Sequence, residues 1–152
     1  MRRSAQKRSQ PPGCRDAAAG VCTQTLNAGG AKAIHCLSVR LGGPPLLAFG
    51  GADRAVRGWD PRASSTVASF ALSSHTAWVS AVAWCPWSEH RLLSASYDGS
   101  VKVWDVRGKV PLHTVAASGE KLLAADWHAG NGQSSLLAAG GADCQLHIYN
   151  SQ

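Results

Sequence analysis

The sequence predicts an all-β fold: about three four-stranded antiparallel units standing side by side in an open arc. Three observations predict it. Short runs of alternating apolar and polar residues recur along the chain, as half-buried strands require. Turn segments carrying Asp separate them, at Gly50-Gly51-Ala52-Asp53, Tyr97-Asp98-Gly99 and Asp143. Aromatic residues also fall at a fixed interval, with Trp59, Trp104 and Tyr149 each 45 residues apart, which marks a repeated supersecondary unit.

The elements follow in order. Residues 1–20 show no sustained period and contain Pro-Pro and Gly, so they read as a disordered basic tail, with RRSAQKR as a candidate targeting signal. Arg15-Asp16 falls one repeat before Trp59-Asp60, and residues 21–26 would be the outer strand of that earlier unit. The arc proper spans residues 21–152, with repeats at about 28–72, 72–116 and 116–152. The first has runs at 33–39, 46–51 and 55–59, with an outer strand at 67–72. The second opens on His75 and an alternating run. A second run at 91–96 ends in Asp98-Gly99, a hairpin signal because Gly accepts the positive φ of a tight primed turn. Val101, Val103 and Asp105 then share one face, and residues 112–116 form the outer strand. The third has runs at 121–127, 136–140 and 145–149. There Asp143 keeps the turn, Ser118-Gly119 stands where the second repeat has His75, and Tyr149-Asn150 replaces Trp-Asp.

Composition excludes several function classes. The net charge is +6, but residues 1–15 hold five basic side chains and no acidic one. The remainder carries ten basic and nine acidic side chains, which argues against a broad nucleic-acid-binding face on the domain. The five Cys are scattered without a CxxC pair, a pattern of single thiols in a reducing compartment and not of disulfides or a zinc site. No apolar run reaches the roughly 18 residues of a membrane helix. No phosphate-binding loop, nucleophile elbow, HExxH helix or EF-hand loop is present. The six His do not converge; His128 and His147 read as surface or loop residues. The Asp residues recur once per repeat at a turn, so Asp53, Asp98 and Asp143 read as turn formers that bond their own following backbone, not as acid–base pairs. No catalytic residue, cofactor, metal or small-molecule substrate is expected.

The stretch from 72 to 107, LSSHTAWVSAVAWCPWSEHRLLSASYDGSVKVWDVR, carries a His, a strand Ser, a turn Asp and a Trp-Asp pair in that order. It resembles a WD repeat, one blade of a β-propeller. The resemblance implies a hydrogen-bonded chain through His75, Ser94 (or Ser96 on the same face), Asp98 and Trp104. Asp53 and Asp143 would be the equivalent turn residues, and Trp59 and Tyr149 the equivalents of Trp104. Three blades cannot close a ring, since propellers have roughly four to eight. The expectation is therefore a piece of a longer protein.

The segments VRGWDPR, SHTAWVSAVAW, SYDGSVKVWDVRGKVPLHTVAA, KLLAADW and GGADCQLHIY are similar to the C-terminal blades of the WD-repeat ribosome-assembly factors of the PeBoW complex. The resemblance implies a non-enzymatic scaffold in large-subunit ribosome assembly and pre-rRNA processing. It implies Pescadillo-type and Block-of-proliferation-type protein partners, indirect association with pre-rRNA, no membrane, and a nuclear location in nucleolus and nucleoplasm. The ubiquitin-like domain of that family has no match in these residues. The alternative is another WD-repeat adaptor, such as a peroxisomal targeting-signal receptor. Trp78 and Tyr97 are the candidate partner contacts: Trp78 follows the loop His and has no equivalent in the other repeats, Tyr97 lies beside the turn, and aromatic anchors are enriched in binding hot spots.

Overall fold

The computed structural model describes residues 22, 25–26, 32–63, 68–128 and 135–151. Eleven strands and no helix occur among them. The first sheet holds β1 (Ile34–Val39), β2 (Leu47–Gly51), β3 (Ala55–Trp59) and β4 (Phe70–Ser73). The second holds β5 (Val79–Trp84), β6 (Arg91–Ser96), β7 (Ser100–Asp105) and β8 (Pro111–Ala116). The third holds β9 (Leu122–His128), β10 (Ser135–Gly141) and β11 (Leu146–Ser151). Each sheet is an antiparallel meander in chain order. The all-β blade architecture read from the sequence is thus borne out, with three strands in the third sheet among the described residues. The expected strand at 21–26 differs: Cys22, Thr25 and Leu26 lie in no strand, and its other residues, like Arg15-Asp16 and the basic tail, lie outside the described residues.

The 45-residue interval is a register. Trp59 pairs with Leu47, Trp104 with Leu92, and Tyr149 with Leu137, each the same step of the β-ladder one repeat later. Two apolar cores lie between the sheets. Ala48, Val56 and Leu72 of the first sheet meet Val79, Val82, Trp84, Leu92 and Trp104 of the second. Leu93, Val101 and Val103, on the other face of the second sheet, meet Leu122, Trp127 and Leu137 of the third. The middle sheet is therefore covered on both faces. That explains why β6 reads Leu92-Leu93-Ser94-Ala95-Ser96 without a polar solvent side: all five residues are buried. Each large aliphatic side chain so buried contributes about 1.5–3 kcal/mol relative to exposure.

Polar groups join neighbouring sheets. Ser80 donates its hydroxyl to the Leu122 carbonyl at 2.7 Å, and the Trp127 indole donates to the Ala83 carbonyl at 3.2 Å. The Ser38 hydroxyl accepts the Trp84 N–H at 3.1 Å. The Trp-Asp carboxylates tie the next turn: Asp60 accepts the Arg62 N–H at 2.9 Å and Asp105 the Arg107 N–H at 3.0 Å. Both also hold the guanidinium of the same Arg.

The Asp-Gly hairpin differs from expectation. It is a three-residue loop, Tyr97-Asp98-Gly99, in which the Gly99 N–H bonds the Ser96 carbonyl at 3.1 Å. Gly99 has φ +76°, but Asp98 does not share the positive φ that a two-residue primed turn needs at both centres. A type I turn followed by one left-handed residue satisfies the strand twist equally well and leaves the Asp98 carboxylate free to bond elsewhere. The same loop recurs at both other repeats, with Arg54 (φ +65°) and Cys144 (φ +61°) in the left-handed position.

Candidate interaction face

At the entry to the second sheet the loop before β5 meets the β6–β7 turn. The His75 Nε2 lies 2.8 Å from the Ser94 Oγ, and its Nδ1 lies 3.0 Å from the Asp98 Oδ2. The Trp104 indole N–H donates to the Ser94 Oγ at 2.8 Å. The four side chains form one directed chain when His75 is neutral with its proton on Nδ1. Trp104 donates to Ser94, Ser94 donates to Nε2, and Nδ1–H donates to the Asp98 carboxylate. Burial pushes the His75 pKa down, with Asp98 opposing, which favours this neutral form. Burial also pushes the Asp98 carboxyl up, but hydrogen bonds from the Ser100 hydroxyl and from the Thr76 and Ser100 N–H groups, with His75 beside them, outweigh it. They hold Asp98 well below the usual carboxylate range. Ser96 is equally buried but stands outside this chain, its hydroxyl accepting the Asp98 N–H at 3.2 Å.

The other repeats solve the same turn differently. Asp53 and Asp143 each accept the N–H two residues on, from Ala55 at 3.3 Å and from Gln145 at 3.1 Å. With no loop His, each carboxylate takes a cationic or imidazole partner from the following strand: Arg57 at 2.7 Å and His147 at 2.7 Å. His147, expected as a surface or loop residue, is instead half-buried on β11 beside Asp143. Its hydrogen bond, joined by one from Ser118, draws the Asp143 pKa down to about 2. Arg57 and His147 occupy the slot of Lys102, which is buried and reaches Thr114 at 3.3 Å because His75 already holds Asp98. The 45-residue spacing of 57, 102 and 147 was the signal that could have found this exchange. Of the slot aromatics, Trp104 is fully buried, Trp59 is buried at 7% exposure, and Tyr149 is half-buried against the second core.

The chain of four side chains orders a surface. Asp98 accepts the Thr76 N–H at 2.9 Å, and the Tyr97 N–H donates to the Trp78 carbonyl at 2.9 Å. The loop carrying Trp78 and the turn carrying Tyr97 are thereby held together, with ring centroids 6.0 Å apart and planes 30° apart. Trp78 remains 49% exposed. His35 of the first sheet lies 5.2 Å from its ring, and Lys121, leading into the third sheet, places its ammonium 5.6 Å from the Tyr97 ring centre. An open depression of about 530 Å³ is bounded by the Trp78 and Tyr97 rings with Lys32, Arg54, Thr76 and Lys121. Sequence reasoning singled out Trp78 and Tyr97 and missed the three cations, two bordering the first sheet and one the third. Among the described residues no group of three His, Cys, Asp or Glu side chains converges as a metal site.

Comparison with known proteins agrees with this architecture. The family described as "WD domain, G-beta repeat" matches residues 65–105, a range that takes in β4 of the first sheet and β5 to β7 of the second. A "Ribosome biogenesis protein WDR12 homolog" of Chlamydomonas reinhardtii is 43% identical over 141 residues, covering 90% of this chain and 31% of that protein. The protein of the same name from Oryza sativa subsp. japonica is 41% identical over 126 residues, covering 82% of this chain and 28% of its own length. A "Ribosome biogenesis protein YTM1" of Meyerozyma guilliermondii is 38% identical over 106 residues, covering 68% of this chain and 22% of its own length. The chain thus spans less than a third of the curated relatives named here. The resemblance to WD-repeat ribosome-assembly factors read from the sequence is borne out.

Proposed function

We propose, from its similarity to WD-repeat ribosome biogenesis proteins, that this chain is part of a non-enzymatic interaction scaffold for large ribosomal subunit assembly and pre-rRNA processing. The similarity is the observation that carries the proposal, at 43% identity across 90% of the chain. Its mechanism is rigid display. Sheets locked to one another by buried apolar contacts hold loop residues in fixed positions, so that a partner meets a surface ordered in advance and less conformational entropy is lost on binding. The His75–Asp98 contact ties the loop to the turn and so supports the Trp78 and Tyr97 rings as partner contacts. The partners are proteins of the large-subunit pre-ribosome, of Pescadillo and Block-of-proliferation type. Association with pre-rRNA runs through them, in the nucleolus and nucleoplasm.

The test is affinity capture and localisation. The tagged chain, expressed both alone and within the longer protein it matches, is expected to accumulate in nucleoli and to co-purify with large-subunit assembly proteins. Trp78→Ala combined with Tyr97→Ala should weaken that recovery while leaving the far-UV circular dichroism unchanged. A cytosolic and peroxisomal distribution without pre-ribosomal proteins would overturn the proposal and favour the peroxisomal receptor alternative.

A further inference from the structure

We propose that the depression beside Trp78 and Tyr97 receives an acidic polypeptide segment, an inference that rests on the scaffold reading above and names the chemistry of its partner. Charge complementarity is the first support. Lys32 and Arg54, which border the first sheet, and Lys121, which borders the third, bound one depression. Among the described residues none of the three has a carboxylate partner within ion-pair distance. The arginine–aspartate ion pairs among the described residues are instead closed locally at Asp53, Asp60 and Asp105. Glu120, exposed next to Lys121, offsets one cation, and residues 27–31, which precede Lys32, carry no charge.

Backbone conformation is the second support. Arg54 sits at φ +65°, where the second repeat has Gly99. An L-residue there is strained, and such strain persists where surrounding structure or function demands it. The result is a guanidinium at the lip of the depression, with Nη1 3.4 Å from the Thr76 carbonyl and other N–H groups left to bind.

The rings decide between an acidic peptide and a single-stranded nucleic acid. A nucleobase needs an uncovered aromatic face on which to stack. Here the Trp78 ring, though half exposed, has His35 and Tyr97 as tilted neighbours at 5.2 and 6.0 Å, and the Lys121 ammonium stands over the Tyr97 ring. The aromatic ledge offers apolar contact flanked by cations, which suits carboxylates on either side of an apolar residue.

The experiment uses the full chain and a fluorescein-labelled Asp/Glu-rich peptide with one central Leu. Its Asn/Gln counterpart and a labelled oligouridylate are titrated in parallel. The acidic peptide should bind with an affinity that falls as salt is raised, and the amide counterpart should not bind measurably. Lys32→Glu, Arg54→Glu and Lys121→Glu should each weaken binding about fivefold or more, the reversal turning attraction into repulsion. Arg54→Gly gives an independent readout: it should weaken binding while holding or raising the urea midpoint, because the strained position is relieved. Equal binding of the amide peptide, indifference to the charge reversals, or displacement of the acidic peptide by tighter-bound oligouridylate would each overturn the inference. Recovery of pre-ribosomal proteins that is unaffected by all three reversals would sink this inference alone and leave the scaffold proposal standing. Acidic-peptide binding without such recovery would sink the scaffold proposal alone.

Discussion

Two serines two residues apart on β6, both fully buried and on the same face, should respond very differently to loss of the hydroxyl. Ser94→Ala removes the group between the Trp104 N–H and the His75 Nε2, each 2.8 Å away. Two buried polar groups lose their partner at once, and neither can reach water. At about 1–3 kcal/mol for each orphaned group, less a small gain from burying a methyl, the expected loss is about 2–4 kcal/mol. Ser96→Ala removes an acceptor for one N–H, that of Asp98 at 3.2 Å, and should cost about 0.5–1.5 kcal/mol. The assay is urea unfolding of the full chain, followed by far-UV circular dichroism so that tryptophan variants share one signal. Ser94→Ala combined with Trp104→Phe closes a double-mutant cycle, whose coupling should be at least about 1 kcal/mol. Equal costs at the two serines, or additive costs in the cycle, would refute the assignment of Ser94 as the link between Trp104 and His75.

Trp104→Ala should cost about 3–5 kcal/mol by urea unfolding, the usual range for a buried aromatic, and Tyr149→Ala distinctly less because its ring is half-buried. Trp127→Phe should cost more than Trp84→Phe: the first breaks an indole bond to the Ala83 carbonyl, whereas the Trp84 indole N–H is buried without a hydrogen-bond partner. Gly99→Ala should destabilise strongly, since a Cβ at φ +76° would stand 2.1 Å from the Ser118 carbonyl oxygen and disturb the Ala117 and Ser118 N–H bonds to Gly99; an unchanged midpoint would contradict the loop geometry. Acidification should weaken the fold. The folded His75 pKa lies below its unfolded value of about 6.5, so its contribution is complete above that pH and is lost as pH falls from there toward the folded pKa. Asp98, held below its unfolded value of about 3.9, is present above that pH and is lost as pH falls through its folded pKa. A urea midpoint that rises between pH 7 and 5.5 would refute the neutral form of His75.

Much of the architecture was legible in the residues. Runs bounded by the Asp turns located strands such as residues 55–59 and 91–96 to the residue, because turn chemistry is a local property of the chain. The spacing of Trp59, Trp104 and Tyr149 carried the register, since repeats of one length reproduce one ladder step. The type of the Asp98-Gly99 turn was misjudged because a Gly with positive φ serves both two- and three-residue loops, and the dipeptide does not distinguish them. His147 was misjudged because its partner Asp143 is defined by the turn that brings residues four apart onto one side.

Residue order alone determined the strands, their phase and the recurrence of Asp at each turn, all of which depend on contacts within a few residues. Tertiary structure decided which buried serine links Trp104 to His75. It also decided that the middle sheet has no solvent face, and that Lys32, Arg54 and Lys121 gather around the Trp78 and Tyr97 rings. The last two of those outcomes turn on how one sheet lies against the next. That angle is set by side-chain packing between segments more than 40 residues apart, and no local period encodes it.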